Sequence, residues 1–218
     1  MRARHRHFNY AALGASAVFD ARFLALNNDD AVSTWTDRSS SANNATQTGS
    51  ERPVFKTNQI NGQPGVAFTS AGQSSLILTS AIAVANASET LLVQKKTSNN
   101  LIALSTDVGG QGAIITDYST SQFLVLGADG SGGYANSSTT NPALWMVSPN
   151  NLILLDGVSQ GFNPFSGSGS NATRIGRRST EYSSGQIGLI AYFGSGLTAA
   201  SRKRAQHHAA FSYKIACS

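Results

Sequence analysis

Apolar positions fall in short runs along this chain, separated every few residues by glycine, asparagine, serine or threonine. Strand-length runs occur at residues 75–79 (SLILT), 89–94 (ETLLVQ), 101–105, 113–116, 122–126 and 144–147. Short strands with turn residues at such spacing predict an all-β protein. Residues 17–26 (AVFDARFLAL) read as a first strand, and 27–30 as a polar turn. Asp156-Gly157 stands between two apolar runs, NLILL and VSQGF. That dipeptide signals a two-residue hairpin turn, in which both central residues need positive φ. Ile60-Asn61-Gly62 predicts a further turn, leading into a strand at 65–68. Flexible loops are expected at 109–112, 127–133 and 166–171. Strands are expected at 173–176 and 185–192, and Trp145 is expected to pack between sheets.

One helix is predicted, from an N-cap at Thr198 to about Tyr213. Ala205, Ala209, Ala210 and Tyr213 share its apolar face, and Arg202, Lys203, Gln206 and His207 point elsewhere.

With 218 residues, 40% of them apolar, the chain can bury the core of one sandwich domain. Charged residues make up 12% and there are 21 glycines, which argues against a helical protein. No internal repeat or linker suggests a second domain. The division expected is a basic arm at 1–17 and one domain at 18–218, ending in the helix at 198–213. The net charge of +5 is uneven. Arg2, Arg4 and Arg6 make the start basic, and Arg202, Lys203, Arg204 and Lys214 make the end basic. Nine basic residues meet all eleven acids in the nearly neutral body between. Such a distribution favours contacts made by the two ends over a nucleic-acid groove. Cys217 is the single cysteine, so the fold relies on its core and not on disulfides. Residues 1–7 have the charge of an export leader, but 8–14 are too short and polar for its apolar segment, and no run approaches transmembrane length.

Residues 32–68 carry a longer pattern: Val32, Trp35 and Asp37, a Ser/Asn-rich loop, Arg52-Pro53, Ile60-Asn61-Gly62, then Gly65-Val66-Ala67-Phe68. In order and spacing this resembles the opening of concanavalin A-like (laminin G-like) jelly rolls found in bacterial surface and phage proteins. The hairpin at Asp156-Gly157, where Asp156 replaces the usual Asn, is similar to that family's. So are Thr173–Gly176, the strand at 185–192, and a terminal helix with an aromatic at Tyr213. The pattern departs at Leu189, where relatives commonly carry Glu. The resemblance implies an all-β, two-sheet antiparallel jelly-roll sandwich with a short C-terminal helix. Trp35, Asp37, Asn61, Gly62, Asp156 and Gly157 are its fold-defining residues. Trp35 is expected in the core or rim, with a sugar platform as the alternative. Asp37 is expected to accept from backbone N–H groups of the loop 39–44, with calcium as the alternative.

Candidate chemistry is sparse. Jelly-roll glycanases use paired carboxylates, yet Glu51, Glu89 and Glu181 have no acid at i+2 or i+4, so no enzyme is expected. His5/His7 and His207/His208 lack the i, i+4 spacing of a zincin. No cofactor is expected. Calcium is the one metal held open, at Asp107, Asp117 and Asp129. Sequons at Asn44, Asn86, Asn136 and Asn171 follow from composition.

The expected function is a non-catalytic lectin-fold module for attachment or assembly, as a capsid decoration or tail protein of a virion. The expected contacts with other assembly proteins, or with further copies of the chain, are Arg2, Arg4, Arg6, Phe8, Tyr10, Arg202, Lys203 and Arg204. The alternative is a free or secreted carbohydrate-binding domain at the cell surface. There Tyr134, Phe162 and Phe165, on loops 43–50, 127–134 and 162–171, would stack on sugars.

Overall fold

The computed structural model describes residues 8–84, 88–97, 101–105, 113–115, 123–126, 132–135, 141–148, 152–160, 162–163 and 170–217. Two antiparallel sheets stack in a sandwich-like arrangement, and one helix covers the outer face of the first. The first sheet runs, edge to edge, Val158–Ser159, Leu152–Leu155, Ala143–Ser148, Glu89–Lys96, Gly185–Phe193, Gln63–Phe68 and Val54–Ile60. The strand Gly185–Phe193 is shared along one edge by two partners placed end to end. Its first half pairs with Gln63–Phe68, with Gly185 opposite Phe68. Its second half pairs with Ala15–Asp20, with Leu189 opposite Asp20 and Phe193 opposite Ala15. The second sheet runs Phe162–Asn163, Gly132–Ala135, Phe123–Leu126, Ala113–Ile115, Ile102–Ser105, Ser170–Ile175, Leu76–Val84, Ala45–Thr46 and Thr34–Trp35.

The two sheets differ in pattern because they differ in cover. Leu91, Leu92 and Val93 are all fully buried, as are Leu144 to Val147 and Leu189 to Ala191. A strand buried on both faces carries apolar residues at consecutive positions. One face meets the second sheet, through Phe19, Trp35, Phe68, Leu92, Trp145 and Ile190. The other meets the helix, through Val18, Leu91, Met146, Leu189, Ala209 and Tyr213. In the second sheet Leu76 and Leu78 are buried while Ile77 between them is exposed, the alternation of a sheet with one wet face.

The first strand is Ala15–Asp20, starting two residues before the expected 17, within the expected arm, and ending six before the expected 26. It stops because Asp20 accepts the Arg22 N–H (3.1 Å) and caps a 3-10 turn over Ala21–Phe23. Both predicted turns form. Asn61 and Gly62 have φ of 50° and 83°, and Asp156 and Gly157 have 49° and 86°. The helix spans Ala199–Tyr213, with the Thr198 hydroxyl accepting from Ser201 N–H. Its buried face is wider than expected: Gln206 is 6% exposed and lies with Ala205, Ala209, Ala210 and Tyr213. A helix laid flat on a sheet buries a stripe of 100° or more, which takes in the position beside Ala205.

Candidate functional site

The N-terminal residues and the helix meet over the first sheet, around the end of the strand Ala15–Asp20. Asp20 is 3% exposed. Arg22 grips its carboxylate with Nη2 at 2.6 Å from Oδ2 and Nε at 3.0 Å from Oδ1. The Tyr213 hydroxyl, coming from the end of the helix, donates between Asp20 Oδ1 (2.9 Å) and the Gly188 carbonyl (2.6 Å). Gly188 is required here, since a Cβ would lie 2.5 Å from the Tyr213 ring. Burial raises the Tyr213 hydroxyl well above its usual pKa, and the Asp20 charge adds to this. Burial opposes the charge of Arg22, but hydrogen bonding to Asp20 overcomes it and holds the guanidinium above its usual value.

Phe8 and Tyr10 dock on the same helix. The Phe8 ring stacks on His208 with centroids 4.5 Å apart. Tyr10 is 3% exposed, and its hydroxyl lies 3.1 Å from His208 Nδ1. Burial, followed by the Asp20 charge, pushes the Tyr10 pKa upward. Beside Phe8, a shallow hollow of about 480 Å³ is bounded by Ala200, Lys203, Arg204 and His207. The structure therefore brings Phe8, Lys203 and Arg204 together, with both basic side chains exposed. Arg202 turns the other way and forms a two-pronged ion pair with the buried Glu89, at 2.6 and 2.8 Å. That pairing raises the Arg202 pKa. Lys214 sits at the far end of the helix, near Gly62.

A second polar cluster lies at the loop after Trp35. Asp37 Oδ1 accepts Val18 N–H and Ser39 N–H, both at 2.8 Å. Oδ2 accepts Asn43 N–H at 2.9 Å and the Ser39 hydroxyl at 2.8 Å. Both oxygens are committed to the loop. Trp35 is fully buried against Phe19, which removes it as a sugar platform. Asn61 Nδ2 donates to the Tyr213 and Lys214 carbonyls, tying its turn to the end of the helix. Asp156 Oδ1 accepts Leu144 N–H at 2.8 Å.

Eight of the eleven acids fall within the described residues, and each accepts hydrogen bonds from within the chain. Besides Asp20, Asp37, Glu89 and Asp156, these are Asp29 with Lys56, Asp30 with Asn27 N–H, Glu51 with Gln47, and Glu181 with Arg178. Among the described residues no group of three His, Cys, Asp or Glu side chains is arranged to hold a metal. Asp107, Asp117 and Asp129, the calcium candidates, lie outside the described residues, as do Arg2, Arg4, Arg6 and Phe165. Tyr134 and Phe162 are described by backbone alone, on neighbouring strands in which Tyr134 pairs with Asn163 and Ala135 with Phe162. No helix among the described residues is long and apolar enough to cross a membrane.

Sequence reasoning missed the Asp20–Arg22–Tyr213 cluster, the Glu89–Arg202 pair and the role of His208. The Asp20-x-Arg22 spacing after an apolar strand was a usable signal for the first. Nothing local in sequence marks the others.

No protein-family model matches this chain, and no curated protein sequence matches it. Solved structures do share its fold. It is similar to domain 4 of AbnA, a GH43 extracellular arabinanase from Geobacillus stearothermophilus, in complex with arabinotriose. That match is 12% identical with a TM-score of 0.50, and covers 80% of this chain and 97% of that domain. Trypanosoma rangeli sialidase matches at 12% identity and a TM-score of 0.48 in its complex with the inhibitor DANA, over 87% of this chain and 32% of that one. The chain spans about a third of the length of the sialidase chains it matches. At 12% identity the likeness to the arabinanase domain speaks to a sheet-rich, sandwich-like fold alone.

Proposed function

We propose that this chain is a non-catalytic, concanavalin A-like sandwich that serves as an attachment or assembly module, and that it docks through a basic face formed by its two ends. A virion surface, as a capsid decoration or tail component, is the setting this reading favours. The observation that carries it is the seat of Phe8 on the helix beside Lys203 and Arg204. Arg6 precedes Phe8 by two residues, and a chain advances at most about 3.5 Å per residue. Lys203 and Arg204 make this face basic beside Phe8, over a nearly neutral body, and the proposal adds to them the arginines that precede Phe8 in sequence. Each exposed ion pair contributes little alone, but many copies on an acidic shell act together. The non-catalytic reading draws on the eight described acids, all of which are occupied in holding the fold.

Sedimentation of native source material tests this proposal. The chain should pellet with large particles and be released between about 0.1 and 1 M salt, as the screening length falls from about 10 to 3 Å. A Lys203→Glu/Arg204→Glu variant should come off at lower salt. A chain that sediments at its own mass under all conditions sinks the proposal. The second reading is a free or secreted glycan-binding domain. It is supported by the likeness in fold to an arabinanase domain whose structure holds arabinotriose.

A further inference from the structure

Under residues 8–11 lies a cavity of about 310 Å³, enclosed by three separate stretches of chain. Phe8, Asn9 and Tyr10 line it from the N-terminal stretch, Asp20 and Phe23 from the end of the first strand and the turn after it, and Arg38 from the loop after Trp35. Its size is at the lower end of small-molecule sites, enough for one sugar ring with its substituents. The charges around it do not balance. Asp20 is already matched by Arg22, so the pair adds no net charge. Arg38 remains. Its guanidinium carbon sits 3.7 Å over the Phe23 ring, and no carboxylate among the described residues pairs with it. Its backbone is fixed by a bond from Arg38 N–H to the Val18 carbonyl (2.8 Å), next to the fully committed Asp37. A stacked guanidinium on a rigid loop keeps its N–H edge free, in the geometry that takes a carboxylate by two parallel bonds. Asn9 adds amide N–H donors at the same cavity, since only its carbonyl oxygen has a partner, Ala12 N–H at 3.3 Å. The aromatic walls suit the C–H face of a saccharide ring.

We infer that this cavity binds an acidic sugar unit, a monosaccharide ring bearing a carboxylate. The carboxylate pairs with Arg38, ring hydroxyls accept from the Asn9 amide, and the ring lies against Phe8 and Phe23. A neutral sugar leaves Arg38 unmatched, and a flat aromatic acid leaves the Asn9 amide N–H donors without a partner, so both are disfavoured. This site shares Phe8 with the proposed basic docking face, but its ligand-pairing groups, Arg38 and Asn9, are not part of that face.

Titration of the full chain with D-glucuronate, followed by amide chemical shifts, tests the inference. Glucuronate should saturate with shifts centred on residues 8–11, 18–23 and 38, and D-glucose should bind at least about tenfold more weakly, as expected for loss of a charge-assisted pair. Arg38→Gln, at an exposed position, should weaken glucuronate to the level of glucose, and Asn9→Ala should weaken it less. Arg52→Gln, at another exposed arginine, should leave it unchanged. Equal binding of the two sugars, undiminished glucuronate binding by Arg38→Gln, or no saturable binding of glucuronate would each overturn it.

Discussion

Two buried aspartates hold this molecule together in opposite ways. Asp37 accepts from Val18, Ser39 and Asn43, and three of its four bonds come from backbone N–H groups. Asp20 accepts mainly from side chains, Arg22 nearby and Tyr213 from the other end of the chain, with one backbone bond from Arg22. The first gathers three backbone N–H groups, while its fourth donor, the Ser39 hydroxyl, also reaches the Ser16 carbonyl (3.0 Å). The second fastens a helix whose attachment is already secured by apolar contact. A buried donor left without a partner costs more than a contact duplicated by packing. The two carboxylates therefore differ in what their loss leaves behind, although both are almost completely buried.

The largest effect is expected at Asp37. Replacing it with Ala strands three backbone donors and should cost about 4 kcal/mol, measured by urea unfolding. A loss below about 1 kcal/mol would mean that water serves the loop equally well. Asp20→Ala should cost less, about 3 kcal/mol. Arg22, whose side chain is 21% exposed, regains water, and Tyr213 keeps the Gly188 carbonyl. A greater loss at Asp20 than at Asp37 reverses the ranking.

Tyr213→Phe should cost about 1 kcal/mol at neutral pH. It should also change the alkaline behaviour, and here the direction can be worked out. The folded-state pKa of Tyr213 is raised, so above about pH 10 the unfolded chain loses a proton that the folded chain keeps. Stability then falls as pH rises through that range. The variant should show a shallower alkaline loss, with Tyr10, whose pKa is raised in the same direction, accounting for part of what remains. Parallel pH profiles for the two proteins would contradict this.

The smallest effect is expected at Asp156, which holds one N–H across its hairpin. Burial raises its carboxyl pKa, so the folded state retains the proton to higher pH than the unfolded state. Stability tied to this group falls as pH rises from about 4 through that raised value. Asn can accept the same Leu144 N–H without the charge. Asp156→Asn should stabilise the protein by about 0.5 kcal/mol at neutral pH, with the advantage vanishing in acid.

The same division between local and distant partners explains what the sequence revealed. Asn61-Gly62 and Asp156-Gly157 were legible because a two-residue turn is written in the dipeptide itself. Asp37 and its loop were legible because donors and acceptor lie within a few residues, although its bond to Val18 was not foreseen. Thr198 and the helix it starts were legible from one cap and an alanine stripe, yet Gln206 was assigned to the wrong side because a glutamine carries no sign of burial. The cavity at Arg38 needed residues 8–11, 20, 23 and 38 to be placed in space, and no periodicity links them. Glu89 and Arg202 each look like ordinary surface charges until the helix brings them together.

The end-to-end sharing of one strand's edge also bears on how the chain is made. Gln63–Phe68 finds its hairpin partner Val54–Ile60 within a few residues of emerging from the ribosome. Ala15–Asp20 has no such neighbour in its sheet, because its partner is the segment around Leu189 to Phe193. At about 5–20 residues per second, the wait is roughly 10 to 35 seconds. Throughout that interval an apolar segment with an unsatisfied edge is offered to whatever chaperone or sister chain is nearby. For this protein, the first sheet closes only once the segment from Leu189 to Phe193 has been made.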